Sequence, residues 1–382
     1  MKKATLIILD SVGIGHAPDE EKFGDKGVHT LCHALEGSEY KLPHLRELGL
    51  GNIEGVNCLE PMDEPMGTYG RLYPLSQGKD TTIGHWELAG LQVDEPLPTY
   101  PDGFPKEVMD TFEKAIGRET LVNKPYSGTV VIDEFGKEHM ETGKPIIYTS
   151  NDSVFQIAAH EDIIPIEELY DMCKKAREIL TGEHAVARVI ARPFVGEPGN
   201  FTRTSNRHDY SLSPFGETIL DELKAASYDV IAIGKIEDIF NGQGVTESLH
   251  TSSNMDGIEK TIKRMQEPYN GLIFTNLVDF DAKFGHRRNP KGYADALKEF
   301  DDKLPEIIQA LGDDDLLMIT ADHGNDPRYK GTDHTREMVP LLIFTKKGKG
   351  NDFGTKAGFF NVANTLADFF GIETKSKGES LL

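Results

Sequence analysis

Leu316-Leu317-Met318-Ile319-Thr320-Ala321-Asp322-His323-Gly324, followed shortly by Thr332-Asp333-His334-Thr335, is the stretch from which the rest of this 382-residue chain can be read. An apolar run of strand length ends abruptly in an Asp-His pair, and a second imidazole arrives one loop later. A carboxylate and two imidazoles at the exit of a buried strand are unfavourable there unless a cation sits among them. Hard and borderline metal ions take oxygen and imidazole ligands together, so the stretch predicts a metal site.

The signature recurs. Ala4-Thr5-Leu6-Ile7-Ile8-Leu9 is an apolar run that stops at Asp10, and Leu272 to Phe280 delivers Asp281, with His286 five residues later. In open α/β sheets, ligands bind outside the carboxyl ends of parallel strands, so residues distant in sequence converge there. Three Asp and three His suit two ions better than one. Taken singly, each residue has a plainer reading: an Asp after a strand forms a turn or caps a helix, and most His are surface or satisfied core residues. Turn chemistry does not explain why His follows Asp in two of the three places.

Bulk properties narrow the function. Asp and Glu number 63 against 41 Lys and Arg, a net charge of -22, which argues against nucleic acid or an anionic membrane as a partner. An anionic small substrate would need local Arg or Lys to overcome that field. Met1-Lys2-Lys3 opens like a signal peptide, but the apolar run after it is short and ends at Asp10, so it reads as a first strand. No segment approaches the ~18 apolar residues of a membrane span. Cys32, Cys58 and Cys173 are odd in number and lack C-x-x-C spacing, which supports neither a disulfide framework nor a thiolate zinc site. The expected location is the cytoplasm.

From residue 217 onward, strand-like and helix-like runs alternate. Asp229 to Ile233 reads as a strand and Ile258 to Met265 as a helix. The 272–280 strand follows, then an amphipathic helix with Tyr293, Leu297, Phe300, Leu304, Ile307, Ile308 and Leu311 on one face and Pro305 as a kink point. The 316–321 strand and Pro340 to Phe344 come last. Such alternation predicts an α/β core with a mostly parallel sheet and helices on both faces. Between about Glu95 and Gly216 the text is richer in proline and glycine. It carries predicted strands at Thr129–Asp133, Pro145–Thr149 and Val186–Ala191, with a helix at Ile166–Leu180. None of the six metal-type residues falls in this block. The simplest organisation is a discontinuous core, 1–95 and 217–382, with a smaller α+β cap domain, 96–216, inserted into it.

Gln77-Gly78-Lys79-Asp80-Thr81-Thr82-Ile83-Gly84-His85-Trp86-Glu87-Leu88 adds a hydroxyl residue ahead of a predicted helix starting near Ile83. A helix N-terminus offers free N–H groups and positive potential to a phosphate. A threonine there can serve as a metal-activated nucleophile, or Thr81 or Thr82 can simply cap the helix.

Asp10, Asp80-Thr81-x-x-Gly84-His85-Trp86, Asp281-x4-His286, Asp322-His323-Gly324 and Thr332-Asp333-His334-Thr335 together resemble the alkaline phosphatase superfamily of two-metal phosphoryl-transfer enzymes. More narrowly, Gly78-Lys79-Asp80-Thr81, Val278-Asp279-Phe280-Asp281, Phe284-Gly285-His286-Arg287-Arg288 and Gly331-Thr332-Asp333-His334-Thr335 resemble the bacterial phosphopentomutase family, over the length of the chain. The resemblance implies an alkaline-phosphatase-like core and two divalent ions, generally manganese. Asp10, Asp322 and His323 would bind one ion, and Asp281, His286 and His334 the other. Thr81, three residues before Gly84-His85, would be the phosphorylated nucleophile. The implied reaction interconverts (deoxy)ribose 1-phosphate and (deoxy)ribose 5-phosphate through a bisphosphate intermediate. A sugar bisphosphate primer such as glucose 1,6-bisphosphate would restore phosphothreonine lost to water. A closing cap would exclude that water and would supply cations for the distal phosphate. Arg188, Arg192, Arg203 and Arg207 are candidates, Arg188 and Arg203 foremost, with Lys235 from the core and Asp152 for the sugar hydroxyls. Trp86 reads as packing, and His85 as packing or as a group orienting a metal ligand.

Two rivals share the metal core, a cofactor-independent phosphoglycerate mutase and a plain phosphomonoesterase. Asp80-Thr81 with Trp86 favours the pentose enzyme, where a serine and a longer insertion would favour the glycerate one. A non-catalytic sugar-phosphate sensor is a remoter reading, and it predicts binding without turnover.

Overall fold

The computed structural model describes residues 1–150 and 152–382. The chain divides into two compact units, Met1–Glu95 with Pro214–Leu382, and Pro96–Ser213.

The first unit is organised on an eight-stranded sheet. Its strands lie in the order β10 (Glu247–Leu249), β9 (Asp229–Ile233), β11 (Gly271–Leu277), β1 (Lys3–Leu9), β12 (Leu316–Thr320), β13 (Val339–Phe344), β2 (Thr68–Tyr73) and β14 (Asp352–Ala357). Only β13 runs against the rest; every other neighbouring pair is parallel. Every residue of β11 and β12 is buried, as are all but the first of β1. Alternate side chains point to opposite faces, so complete burial means both faces are covered, as a parallel sheet requires. That is why these strands read as unbroken apolar runs.

Register then sets up the site. Leu9 pairs with Leu277 and Ile8 with Thr320, so β1, β11 and β12 end side by side. After β11 the chain enters a wide helical turn, Phe280–Gly285, closed by His286 N–H donating to the Asp281 carbonyl at 3.0 Å. In this π-type geometry a spacing of five residues is close to one full turn, so Asp281 and His286 share a face.

The second unit is a mixed sheet in the order β3 (Leu121–Pro125), β4 (Ile146–Thr149), β5 (Val154–His160), β6 (Arg188–Glu197) and β7 (Asn200–Arg203), with β8 (His208–Ser211) also paired to β6. One face packs Ile147, Phe155, Ile157 and Val189 against helices Lys106–Ile116 and Ile166–Ile179. The other packs Ile146, Tyr148, Ala158 and Phe194 against helix Val130–Thr142.

Two expectations are corrected. Thr129–Asp133, read as a strand, is the start of that helix. The β-branched run Thr-Val-Val-Ile suggested extended backbone, but Val131, Ile132 and, further along, Gly136 and His139 are buried at helical spacing, and tertiary packing overrides the local preference. A disulfide also exists where none was expected: Cys32 and Cys58 are bonded, 26 residues apart with Cα atoms 5.3 Å from each other, and Cys173 is free and buried. Parity and spacing cannot reveal which cysteines the fold brings together.

Candidate active site

Asp10 directly follows β1, and Asp322 and His323 follow β12 by a residue or two. These three offer ligand atoms that all lie within 4.8 Å of one another, as do Asp281, His286 and His334. His323 Nε2 is 3.2 Å from Asp322 Oδ2 and 3.5 Å from Asp10 Oδ1. His286 Nε2 is 3.1 Å from Asp281 Oδ2, and His334 Nε2 is 3.4 Å from Asp281 Oδ1. The two trios adjoin, because the His323 and His334 rings stack with centroids 4.0 Å apart.

The surrounding hydrogen bonds aim these atoms. His323 Nδ1–H donates to the Gly324 carbonyl at 3.0 Å and His286 Nδ1–H to the Thr332 carbonyl at 2.7 Å. Each contact places the proton on Nδ1 and turns the Nε2 lone pair toward the carboxylates, the arrangement typical of imidazole ligands. Asn276 Nδ2 donates to Asp10 Oδ2, Ser11 N to Asp322 Oδ1 and Asn325 Nδ2 to Asp281 Oδ1, at 2.8, 3.0 and 2.7 Å. Among the described residues, the other oxygens, Asp10 Oδ1 and Asp322 Oδ2, are buried with no hydrogen-bond partner. An orphaned buried carboxylate oxygen is destabilising. Both orphaned oxygens lie close to His323 Nε2, and Asp322 Oδ2 is also 3.1 Å from His85 Nδ1, so the pair fits a cation, and the donor set of carboxylate oxygen and imidazole suits a divalent transition ion.

Electrostatics agree. Burial, reinforced by the charges of Asp322 and Asp281, pushes the Asp10 carboxyl up to about 7. Burial acts to raise Asp322 and Asp281 too, but His323 with His85 and His334 with His286 hold them well below the usual carboxylate range. Three buried carboxylates without a cation must share protons with the imidazoles, which is what these opposed shifts express.

Thr81 is the first residue of helix Thr81–Leu88, and Asp80 caps that helix by accepting from Ile83 N at 3.1 Å. Capping therefore falls to Asp80, and the Thr81 hydroxyl is left to meet the Asp10 trio, 3.0 Å from His323 Nε2. Gly84 is needed for this approach, since a Cβ there would lie 2.2 Å from the Asp322 carbonyl oxygen. His85 is fully buried; its Nδ1–H donates to the Thr81 carbonyl at 2.9 Å, and its Nε2 accepts from Asn276 at 3.3 Å. Trp86 is a core residue whose indole N–H donates to the Ile239 carbonyl.

The lower-ranked candidates fall in both units. Lys235 follows β9 in the first unit and is exposed. Asp152, Arg188 and Arg203 belong to the second unit, where Arg188 and Arg207 share Asp209 and Arg192 donates to Gln156. Sequence reading missed Asn276, Asn325 and Arg336. Asn325 had a signal, as it extends the Asp322-His323-Gly324 text, and Asn276 stood out as a polar residue in an apolar strand. Arg336 had none. Its fully buried guanidinium donates to the Ser76, Gly78 and Pro74 carbonyls and to Asp19, fastening the loop that leads into Thr81.

Comparison with known proteins bears directly on this geometry. A family model described as the metalloenzyme superfamily matches residues 2–374. The curated phosphopentomutase of Alkaliphilus metalliredigens is 58% identical over 382 residues, covering 100% of this chain and 98% of that one. The phosphopentomutase of Clostridioides difficile is 54% identical, with coverage of 100% and 98%. A solved structure from Pyrococcus horikoshii shares the fold, with a TM-score of 0.50 at 17% identity and 98% of each chain covered. The α/β fold is alkaline-phosphatase-like, and the chain belongs to the phosphopentomutase family within the metalloenzyme superfamily.

Proposed function

We propose that this isomerase interconverts (deoxy)ribose 1-phosphate and (deoxy)ribose 5-phosphate through phosphorylated Thr81. The observation that supports the mechanism is the Thr81 hydroxyl, presented at a helix N-terminus 3.0 Å from His323 Nε2 of the Asp10 trio. Asp10, Asp322 and His323 would hold one divalent ion and Asp281, His286 and His334 the other, with manganese the expected metal. Bound there, the ions supply charge neutralisation for the transferring phosphoryl group and lower the proton affinity of the threonine oxygen.

The chain's own residues do the rest. The Asp80 cap and the Asn276–His85–Thr81 hydrogen-bond chain hold the first turn of the helix, so its free N–H groups face a phosphoryl oxygen. In the first half-reaction the Oγ–P bond of phospho-Thr81 breaks as a bond forms from phosphorus to the free sugar hydroxyl, whose proton passes to Thr81 Oγ. The product is a 1,5-bisphosphate. In the second, the other P–O bond breaks, phosphorus returns to Thr81 Oγ and the proton goes to the sugar oxygen released. A bisphosphate such as glucose 1,6-bisphosphate would prime enzyme that has lost its phosphate. Arg188, Arg203, Asp152 and Lys235 are proposed to bind substrate, with the second unit devoted to recognition. No helix among the described residues is long and apolar enough to cross a membrane, and we place the reaction in the cytoplasm.

The test is a coupled assay offering ribose 1-phosphate and 3-phosphoglycerate side by side. Turnover of the pentose ester alone is expected, and activity confined to the glycerate would overturn the reading. Thr81→Ala should lower turnover by about 10³-fold or more while leaving the fold intact, and phosphate should be found on the Thr81 peptide of the wild type. Ligand binding with no phosphothreonine and no turnover would point to a sensor instead.

A further inference from the structure

Lys79 has no part in the chemistry assigned so far, yet it stands two residues before Thr81 in the Gly78-Lys79-Asp80-Thr81 text. Its side chain is only 19% exposed. The ammonium donates to Asp25 Oδ2 at 3.0 Å and lies 3.3 Å from Asp333 Oδ2. A lysine drawn largely out of water needs such partners, and what the two carboxylates hold in turn gives the bridge its meaning.

Each of them grips the backbone that carries His334. Asp333 Oδ1 accepts from the His334 N–H at 2.9 Å, and Asp25 Oδ2 accepts from the Arg336 N–H at 2.8 Å. Between those amides, Thr335 and Gly324 exchange both backbone hydrogen bonds, which ties the same segment to the chain leaving His323. The Arg336 guanidinium then reaches back to the Pro74, Ser76 and Gly78 carbonyls, just ahead of Lys79. The segment before Thr81 and the segment bearing His334 are thus joined twice, by Lys79 from one side and by Arg336 from the other. His334 is the imidazole that depends most on this brace. His286 and His323 each donate Nδ1–H to a carbonyl, whereas His334 Nδ1 has no such bond among the described residues. Its aim at Asp281 therefore follows its backbone.

We infer that Lys79 is a positioning residue which, through Asp333 and Asp25, sets where His334 stands relative to Thr81. The inference rests on the reading of Thr81 as nucleophile and His334 as metal ligand. Misplacing a group that acts in the reaction by about 1 Å can cost ~10²-fold in rate. The role therefore predicts a defect in turnover, not in substrate affinity.

The test uses the full chain and two readouts. In chelated protein, where no ion holds the His334 ring, hydrogen exchange at the His334 and Arg336 amides should be about tenfold faster in Lys79→Met than in wild type. In metal-loaded enzyme, kcat for ribose 5-phosphate should fall about 10–100-fold with KM little changed. Lys79→Arg, which can still bridge two carboxylates, should recover most of both. Asp333→Asn should share the loss, and the double variant Lys79→Met/Asp333→Asn should lose no more than the worse single one. Should Lys79→Met fail to fold, Asp333→Asn carries both readouts, since the Asp333 side chain is 70% exposed. Unchanged amide exchange, additive losses in the double variant, or a raised KM at undiminished kcat would overturn the role. Full turnover by Thr81→Ala would instead sink the functional reading on which it rests.

Discussion

Asn325 donates one amide hydrogen to Asp281 Oδ1 at 2.7 Å, and its own backbone N–H is bonded to the Thr30 hydroxyl. It therefore orients a carboxylate that two imidazoles share, without offering itself to the centre. Asn325→Ala frees that oxygen to rotate and should lower metal affinity at the Asp281 trio by about 10–100-fold, with less effect at the Asp10 trio. Metal content after graded dialysis would show it, and equal losses at both trios would refute the assignment. At this scale the text was informative wherever a polar residue interrupts or ends an apolar run, as at Asp10, Asp281 and Asp322. It was silent about Arg336, because an arginine next to a loop carries no mark of being buried and fully bonded.

Helix Val130–Thr142 shows where element-level reading failed and what it hides. His139 lies buried on its inner face, donating Nδ1–H to the Lys144 carbonyl and accepting at Nε2 from His160 N. Burial lowers its pKa below the ordinary imidazole value, so the folded form resists a proton that the unfolded chain accepts. Below pH ~6.5 the unfolded state binds more protons, and stability falls as pH drops from there through the folded-state value. Thermal midpoints should therefore decline between about pH 7 and pH 5. The decline should be shallower in His139→Gln, which keeps a donor and an acceptor but does not titrate. An identical slope in the two proteins would remove His139 from the account. The helix itself was misread because β-branched residues dominate its first turn, and only the face it buries against Ile146, Tyr148 and Phe194 identifies it.

For the whole molecule, two properties follow from long-range juxtaposition. Asp10 and Asp322, distant in the chain, each bury an oxygen with no hydrogen-bond partner among the described residues. Chelation should thus lower the thermal midpoint markedly, and restoring manganese should recover it. At a thousandfold excess over the dissociation constant, a bound ion stabilises by about 4 kcal/mol. A midpoint indifferent to chelator would contradict the two-trio centre. The Cys32–Cys58 bond closes a 26-residue separation, for which chain-entropy reasoning gives about 3.5 kcal/mol. Protein purified without reductant and then denatured should titrate one thiol, Cys173, and three after reduction. Three thiols at the outset would mean the pair exists reduced.

The parallel α/β core was legible in the sequence alone because burial on both faces demands unbroken apolar strands, and a polar residue at a strand end announces the sheet's reactive edge. The six Asp and His positions could be proposed as ligands for the same reason, whereas Thr81 was distinguished from Thr82 only through the resemblance to the phosphopentomutase family. Tertiary structure alone decided which oxygens are left without a partner among the described residues, that Asp80 rather than a threonine caps the helix, and that Cys32 meets Cys58. Those outcomes depend on strand register and on the direction each side chain takes from its element. Neither is encoded within a local window; both are set when β1, β11 and β12 pair.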